Sequence, residues 1–477
     1  MNRYIYKIIL GLLIVGIALS CTIAVVGSDV YGRPIMWKNR DVSNQNQEIR
    51  YFEGENYDFI ANLYYGDVGR VWAGINSAGF GILNTDTYNQ GPWIGVGPDD
   101  GQVMYYALGH FSHISDFQQY LDSTNISGRS STHCYGVFDE TGAAAVFEAG
   151  CNDYIRYDAE SGSRSILIRT NYADCGSTLS RVGVERRQRA RELISIVPTI
   201  DPGLLMFSLA RDLATEELYP YPLPFEGIYN SYPEGVISTH HTINRYYTSS
   251  ASILVGSGSD GTPAMMWEFL GQPIVSLALP LWVQAGSVPS ELYGSSGSEL
   301  CEMACYLKDL VYTSALTIDT YALYDILSFY RSWEYGIYND IQDLYSGDSG
   351  ILFNPTQLES LQNDIAYHAL ERYNSFLSLY VKEGWGNVPK EIELKAYPNP
   401  MNSCGNLEFN LPAFGNAEIK LYNINGKLIS TPYPIKYTRA GKINVLLDME
   451  GLPSGVYLAK LLTDGSLEDS QTIYLIK

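Results

Sequence analysis

The sequence is short of positive charge, of histidine and of long apolar segments. It has 31 lysine and arginine residues against 52 aspartate and glutamate residues, a formal net charge of −21 at pH 7. Nucleic acid and anionic lipid would repel such a chain, so we expect neither as a partner. The N-terminal apolar run Ile8–Leu19 is shorter than the roughly 20 residues that span a bilayer. We therefore expect no stable membrane insertion once a signal has been removed.

The six histidines offer little support for a metal site. His240 and His241 are adjacent in a predicted strand, where neighbouring side chains point to opposite faces. Cys301 and Cys305 have the i,i+4 spacing of one helix face, but no histidine lies nearby in the sequence. We expect structural roles for these cysteines, and no metal or cofactor.

What the chain does contain is enough apolar sequence for large cores. Its 477 residues predict two domains, and 46% of them are hydrophobic. Seven cysteines fit one unpaired thiol and six that pair in an oxidising compartment. Cys21 is the natural unpaired one, and a hairpin between Cys134 and Cys151 predicts a bridge there.

The first 20 residues have the features of a secretory signal. A basic start with Arg3 and Lys7 precedes the apolar run, and Ala18-Leu19-Ser20 satisfies the small-x-small cleavage rule. Cleavage after Ser20 would make Cys21 the new N-terminus. Its α-amine, which titrates near pH ~7.7–8.0, could then accept the proton of its own thiol. One residue would supply both nucleophile and base.

Three other interpretations of Cys21 stay open. The segment also resembles a lipoprotein signal with an acylated cysteine, although Ala18 stands where Leu, Val or Ile is usual. An uncleaved membrane anchor would need a longer apolar run. A structural core cysteine is the third alternative.

Short strands and helices alternate along the chain. Predicted strands are Cys21–Val26, Arg33–Trp37 after a turn at Gly27–Gly32, Arg70–Ile75, Gly79–Asn84, Cys134–Phe138, Ala143–Glu148, Ser165–Thr170, Val236–Arg245, Ser250–Val255 and the apolar stretch Met265–Leu279. Predicted helices are Phe117–Leu121, Val184–Ile196, Glu299–Val311, Thr320–Phe329 and Gln357–Lys382. The N-terminal region is therefore of mixed α+β class.

Several ordered segments carry a resemblance to a known family. They are Cys21-Thr22, Gly32-Arg33-Pro34-Ile35, Lys38-Asn39-Arg40-Asp41, Gly74 to Phe80, and Thr170-Asn171. Residues 21–385 resemble the N-terminal-nucleophile (Ntn) cysteine amidohydrolases, which include choloylglycine hydrolases, penicillin V acylases and acyl-coenzyme A:6-aminopenicillanate acyltransferases. The resemblance implies a four-layer αββα sandwich.

The resemblance also assigns site residues. Cys21 would attack the amide carbonyl, and Asp41 would hold the α-ammonium through charge and a hydrogen bond. Lys38 stands where the family usually has arginine, and lysine cannot form the same bidentate contact. The amides of Asn84 and Asn171 would stabilise the oxyanion; a one-residue slip would turn Asn84 to the other sheet face.

An arginine at the start of the helix after Asn171 completes the family's site. Among the residues 184–191 we favour Arg186, with Arg187 second. The alternative for this cluster is a solvated basic helix face.

The C-terminal segment has a different pattern. A linker, 386–395, precedes short alternating strands that predict a small all-β, immunoglobulin-like sandwich at 396–477. Tyr397-Pro398-Asn399-Pro400, Leu421-Tyr422-Asn423 and Leu452 to Tyr457 resemble the C-terminal sorting domain of type IX secretion cargo. An adhesive module of the same shape is the alternative.

Together the two resemblances imply a secreted or cell-surface enzyme. It would hydrolyse linear, non-peptide amide bonds through an acyl-thioester on Cys21. An acyltransferase, or a non-enzymatic lipoprotein lipidated at Cys21, are the alternatives. Expected partners are a small-molecule amide and the secretion machinery, with the loops Tyr88–Tyr106 and Leu218–Tyr232 over the cleft.

Overall fold

A computed structural model of the chain describes residues 21–91, 95–160, 162, 165–214, 236–295, 297–346, 353–382, 392–411, 415–438, 441–463 and 465–476. The predicted signal at 1–20, the predicted cleft loop 218–232 and most of the predicted linker 386–395 lie outside the described residues.

Two antiparallel sheets form the centre of the N-terminal region. The first sheet contains, side by side, β10 (Ile166–Arg169), β1 (Thr22–Val26), β2 (Ile35–Asp41), β12 (Thr248–Val255), β13 (Met265–Leu270) and β14 (Ala278–Leu281). The second contains β3 (Gln47–Phe52), β4 (Phe59–Tyr64), β5 (Ala73–Asn76), β6 (Gly81–Asp86), β7 (His133–Phe138), β8 (Ala144–Ala149) and β9 (Tyr154–Asp158). A small third sheet contains β11 (Val236–Ser238), β16 (Thr317–Asp319) and β15 (Tyr312–Ser314).

The two large sheets pack face to face. Gly136 of β7 permits this, because a Cβ there would lie 2.7 Å from Val25 Cγ2 and 2.9 Å from Leu83 Cδ1. Strands β1 and β2 are buried along their whole length. Covered on both faces, β1 is apolar from Ile23 to Val26, whereas β2 is apolar from Ile35 to Trp37 and then polar over its last four residues, which lie at the end of the sheet beside Cys21.

Helices cover the outer faces of both sheets. On the second sheet lie α2 (Asp100–His110) and α3 (Ile114–Ser127), and Phe117 packs its ring 5.5 Å from that of Tyr135. On the first sheet lie α4 (Val184–Ser195), α6 (Glu299–Val311), α7 (Thr320–Ser346) and α8 (Pro355–Lys382). Shorter elements are α1 (Ser28–Tyr31), α5 (Pro202–Leu204), the π-helical turn Leu205–Leu209, and 3₁₀ turns at Val283–Ala285 and Ser290–Leu292. The predicted mixture of helices and strands is confirmed.

Several local predictions differ from the structure. The predicted turn at 27–32 is the helical turn α1, which Gly32 ends at φ 85°. The predicted strand 236–245 ends at Ser238, and His240 and His241, outside any strand, contact each other through their rings. Helix α2 escaped prediction because Gly101 and Gly109 obscure its helical pattern, although a capping box at Asp99 starts it.

The predicted Cys134–Cys151 bridge is wrong. No cysteine in the described part of the chain forms a disulfide. Cys134 is fully buried between the two sheets, opposite Glu148 of β8, while Cys151 follows the end of that strand. Strand alternation therefore directs the Cys134 thiol into the core.

The C-terminal region consists of two further sheets. One contains β17 (Glu393–Tyr397), β18 (Cys404–Leu411) and β21 (Gly441–Asp448); the other contains β20 (Leu428–Thr438), β19 (Gly415–Asn423), β22 (Gly455–Thr463) and β23 (Ser466–Leu475). Their inward side chains, among them Leu407, Ile419 and Leu461, form one core, as in a β-sandwich. Across the described residues, no helix combines the length and apolarity needed to cross a membrane.

A buried ion pair joins α7 to the first sheet and provides a test of this packing. Arg211 donates to both carboxylate oxygens of Glu334 at 2.7 Å, and Glu334 also accepts the backbone N–H of Ala278. We expect Glu334→Ala to lower the free energy of unfolding by about 3–5 kcal/mol, because it leaves a buried guanidinium unpaired. Urea unfolding followed by tryptophan fluorescence measures this.

Glu371→Ala, on the exposed face of α8, is the matched control and should change stability by less than about 0.5 kcal/mol. Equal midpoints for the two variants would contradict this account of the packing.

Candidate active site

Cys21 lies immediately before β1, at one end of the first sheet. Because β1 runs antiparallel to β2 and β10, its start lies beside the last residues of both neighbours. Asp41 ends β2, and Asn171 follows β10 shortly after Arg169. Pairing of three strands therefore brings together three of the five segments that carry the resemblance: Cys21-Thr22, Lys38 to Asp41 and Thr170-Asn171.

Arg186 of α4 fixes the backbone at Cys21. Its Nη1 donates to the Cys21 carbonyl oxygen at 2.7 Å and to Thr22 Oγ1 at 2.6 Å, and its Nη2 donates to Asn171 Oδ1 at 3.0 Å. Burial, and then the charge of Arg245, lowers the pKa of Arg186 to about 10. The guanidinium is therefore still a cation at neutral pH.

Gly183, at the N-cap of α4, makes room for this contact. A Cβ there would lie 2.1 Å from Arg186 Nη2, and its φ of 82° favours glycine as well. Arg187, the second choice from sequence, instead forms a bidentate pair with Asp174 at 2.6 and 2.8 Å. Successive helix residues diverge by about 100°, so only one of the two arginines can face β1. Both are buried, which contradicts a solvated basic face at these positions.

Asp41 is buried beside Cys21. Its carboxylate accepts from Arg245 Nε at 2.7 Å and from Thr248 Oγ1 at 2.6 Å. Sequence reasoning missed Arg245, which lies 204 residues from Asp41 and reaches it because β12 pairs with β2. No local motif marks this arginine.

Lys38 reaches the same end of the sheet from the face that packs on the second sheet. Its Nζ donates to the Trp72 carbonyl oxygen at 2.7 Å and to Asn84 Oδ1 at 2.5 Å. Burial lowers the pKa of Lys38 to about 8. Two of its three N–H donors are thus occupied by neutral acceptors, and one remains.

The two asparagines proposed as oxyanion donors lie on either side of this cluster. Asn84 Nδ2 donates to Asp100 Oδ2 at 2.6 Å, which leaves one of its two N–H groups. Asn171 Nδ2 donates to the Asp86 carbonyl oxygen at 3.1 Å and to Thr85 Oγ1 at 3.3 Å, so both of its N–H groups are occupied. The structure therefore orients both amides through contacts with β6 and α2.

These surroundings set the acidity of the thiol. Burial raises the pKa of Cys21, and the charges of Asp41 and Asp86 raise it further. The charge of Lys38 and the backbone N–H of Asp41 have the opposite effect and lower the pKa of Cys21. A thiol held neutral by burial needs a base to become a nucleophile.

Tyr88 adjoins the site, since its backbone N–H donates to Asn171 O at 3.1 Å.

A second charged group, which the sequence did not predict, adjoins Asn84. His133 Nδ1 lies 3.1 Å from Asp86 Oδ1 and 3.7 Å from Asp100 Oδ2, and its Nε2 contacts Ser131 Oγ at 2.6 Å. Burial opposes the charged imidazole, but Asp100 and Asp86 raise its pKa above the usual value. Within the described residues this is the one trio of potential metal ligands closer than 4.8 Å, and we interpret it as an ion-pair network.

Comparison with known proteins identifies the C-terminal region. Residues 395–475 match the family model described as a secretion system C-terminal sorting domain. These residues form the sorting domain that the sequence predicted. The protein is accordingly secreted or displayed at the cell surface. A search of curated proteins finds no match for the chain.

Solved structures similar to the chain include two amide hydrolases. Penicillin V acylase from Agrobacterium tumefaciens has 12% identity and a TM-score of 0.32, with 55% of this chain and 86% of that chain covered. A variant of conjugated bile acid hydrolase from Clostridium perfringens has 11% identity and a TM-score of 0.30, covering 52% and 89%. Dimeric latent PorU from Porphyromonas gingivalis has 13% identity and a TM-score of 0.16, covering 18% and 9%. Because all three scores are below 0.5, we argue the function from the site alone.

The electrostatics of the site can be tested without a substrate. We expect Lys38→Met to raise the pKa of the Cys21 thiol by about one unit or more, because the largest charge effect that lowers it is lost. The measurement is the pH dependence of iodoacetamide labelling, quantified on the Cys21 peptide by mass spectrometry.

Lys308→Met is the matched control. Its ammonium also has a lowered pKa, of about 8, but it lies over the Tyr246 ring and is absent from the groups that act on Cys21. An unchanged labelling profile in Lys38→Met would disprove the assigned effect of Lys38.

Proposed function

We propose that residues 21–385 form an Ntn cysteine amidohydrolase with the four-layer αββα fold, which cleaves linear, non-peptide amide bonds. The observation that carries the proposal is the set of hydrogen bonds that Arg186 donates at Cys21. Arg186 binds the Cys21 carbonyl and the Asn171 side chain together, so that the nucleophile and an amide donor are held by one guanidinium. Two sheets between outer helices agree with the proposed fold.

Maturation would create the catalytic group. Removal of residues 1–20 leaves the α-amine of Cys21 free, close to its thiol. That amine titrates near pH ~7.7–8.0 and can take the thiol proton at physiological pH. Asp41, held by Arg245 and Thr248, is the nearby carboxylate whose charge favours the ammonium form.

The reaction then runs in two steps. The Cys21 sulfur attacks the amide carbon, and the negative charge on its oxygen is stabilised by the remaining N–H groups of Asn84 and Lys38. Asn171 contributes by exchanging its 3.3 Å contact with Thr85 for the oxyanion. The α-ammonium gives its proton to the departing amine as the C–N bond breaks, which leaves an acyl-thioester. Water, deprotonated by the same amine, attacks the thioester, and the carboxylic acid leaves as the thiol is restored. With an amine in place of water, the same step is acyl transfer.

The sorting domain implies contact with the type IX secretion machinery, and we propose a small-molecule amide as the substrate. The predicted cleft loop Tyr88–Tyr106 begins at the site, because Tyr88 contacts Asn171, but its residues from Asp100 on belong to α2. We propose that residues 88–91 border the acyl-binding cleft.

Replacement of the nucleophile tests the chemistry. We expect Cys21→Ala and Cys21→Ser to lower turnover of acyl amides by roughly 10³-fold or more, because no thioester can form. Liquid chromatography with mass detection of released acid, over a panel of acyl amides, measures this. The exposed Cys175→Ala variant should keep full activity, and undiminished turnover in Cys21→Ala would refute the proposal. A new amide product on adding free amines would identify acyl transfer.

The mature N-terminus tests the maturation step. We expect the intact mass of protein purified from the native host to include an unmodified Cys21 as the first residue. A diacylglyceryl adduct on Cys21 would identify a lipoprotein, and any other first residue would remove the proposed base.

A further inference from the structure

A buried chain of polar contacts runs from Lys38 to His133 across four elements. Lys38 Nζ donates to Asn84 Oδ1 at 2.5 Å, and Asn84 Nδ2 donates to Asp100 Oδ2 at 2.6 Å. The same Asp100 oxygen lies 3.7 Å from His133 Nδ1. These residues come from β2, β6, α2 and β7 respectively, so the chain joins the two sheets and an outer helix.

We propose that Asp100 is a positioning residue that keeps Lys38 protonated and directed at Cys21. Although lysine can titrate, Lys38 then remains a cation beside the Cys21 thiol. This inference rests on the proposed function, because it assigns to Lys38 the partnership with the Cys21 thiolate.

The first argument is orientation. A lysine ammonium only donates hydrogen bonds and a carboxylate only accepts them, whereas an asparagine amide has one end of each kind. Between Lys38 and Asp100, the Asn84 amide can therefore satisfy both neighbours in one orientation only. By accepting from the NH₂ group of Asn84, Asp100 turns the Asn84 oxygen toward Lys38. The NH₂ group, which would repel the ammonium, then points away from Lys38.

The second argument is charge. Burial favours the neutral amine of Lys38, so nearby carboxylates must favour the ammonium. The titratable and charged groups that face Lys38 are Cys21, Arg40, Asp86, Asp100, His133 and Glu268. Arg40 and His133 oppose a positive Lys38, whereas the Cys21 thiolate supports it most, followed by Asp100 and Asp86. Burial raises the pKa of Glu268 well above its usual value, which favours its neutral form.

The direction in which the pKa of Cys21 shifts distinguishes this inference from a direct effect of the Asp100 charge on the thiol. Removal of a carboxylate charge would by itself lower the pKa of a nearby thiol, because less negative charge opposes the thiolate. If Asp100 acts through Lys38, its removal weakens the cation and raises the pKa of Cys21 instead. The two mechanisms therefore predict opposite shifts.

The test is the pH dependence of iodoacetamide labelling at Cys21 in the full-length mature protein. We expect Asp100→Asn to raise the thiol pKa by about one unit. In a Lys38→Arg background the same substitution should produce no rise, because arginine stays charged without Asp100. A fall or no change with Lys38 present, or an equal rise in the Lys38→Arg background, would overturn the inference.

Two further variants complete the design. Asn84→Leu removes no charge but breaks the chain at another link, and we expect it also to raise the pKa of Cys21; it keeps the inference testable if Asp100→Asn does not fold. Glu268→Gln is the matched control, because this buried carboxyl accepts from Asn62 and Ser252 and lies outside the chain from Lys38 to His133, and no shift is expected. Labelling is independent of turnover, so inactive protein with the expected pKa shifts would refute the proposed function and leave the role of Asp100 standing.

Discussion

The antiparallel pairing of β1 between β2 and β10 is the constraint on which the rest of the site depends. It places the start of β1 beside the ends of both neighbouring strands, so that Cys21 meets Asp41 on one side and Asn171 on the other. Helix α4 then adds Arg186, which bonds to the Cys21 backbone and to Asn171 at once. A shift of one residue in this register would exchange the faces of β1 and separate the thiol from the groups around it.

The site is a balance of buried charges rather than a cluster of one sign. Lys38, Arg186 and Arg245 are cations, and the carboxylates of Asp41 and Asp86 lie among them. Each charge is costly to bury alone and is held by hydrogen bonds from at least one neighbour. The neighbouring charges together set the pKa of the Cys21 thiol, so the loss of any one of them would disturb this balance.

Lysine at position 38 changes the character of this balance. Arginine is always charged in proteins, whereas a buried lysine can lose its proton near neutral pH. Two carboxylates on the facing sheet and helix, Asp86 and Asp100, favour the protonated form of Lys38. His133 in turn lies against both carboxylates and is fixed through Ser131. The protonation of Lys38 therefore depends on the charged groups around it.

Short sequence segments were enough to point to part of the site. Cys21 follows an apolar run with a cleavage rule, and the resemblance to the Ntn cysteine amidohydrolases, which short ordered segments carry, implied Asp41, Asn171 and Arg186. The sorting domain was likewise readable, because its motifs are local and its strands alternate.

Tertiary structure alone decided how these segments combine. Arg245 reaches Asp41 across 204 residues, and the choice between Arg186 and Arg187 depends on which way α4 faces. Asp100 and His133 gain their roles because α2 and β7 meet at the end of β6. Periodicity and capping act over a few residues and are encoded in sequence, whereas the partners of a buried charge are set by packing between distant segments, which no local pattern records.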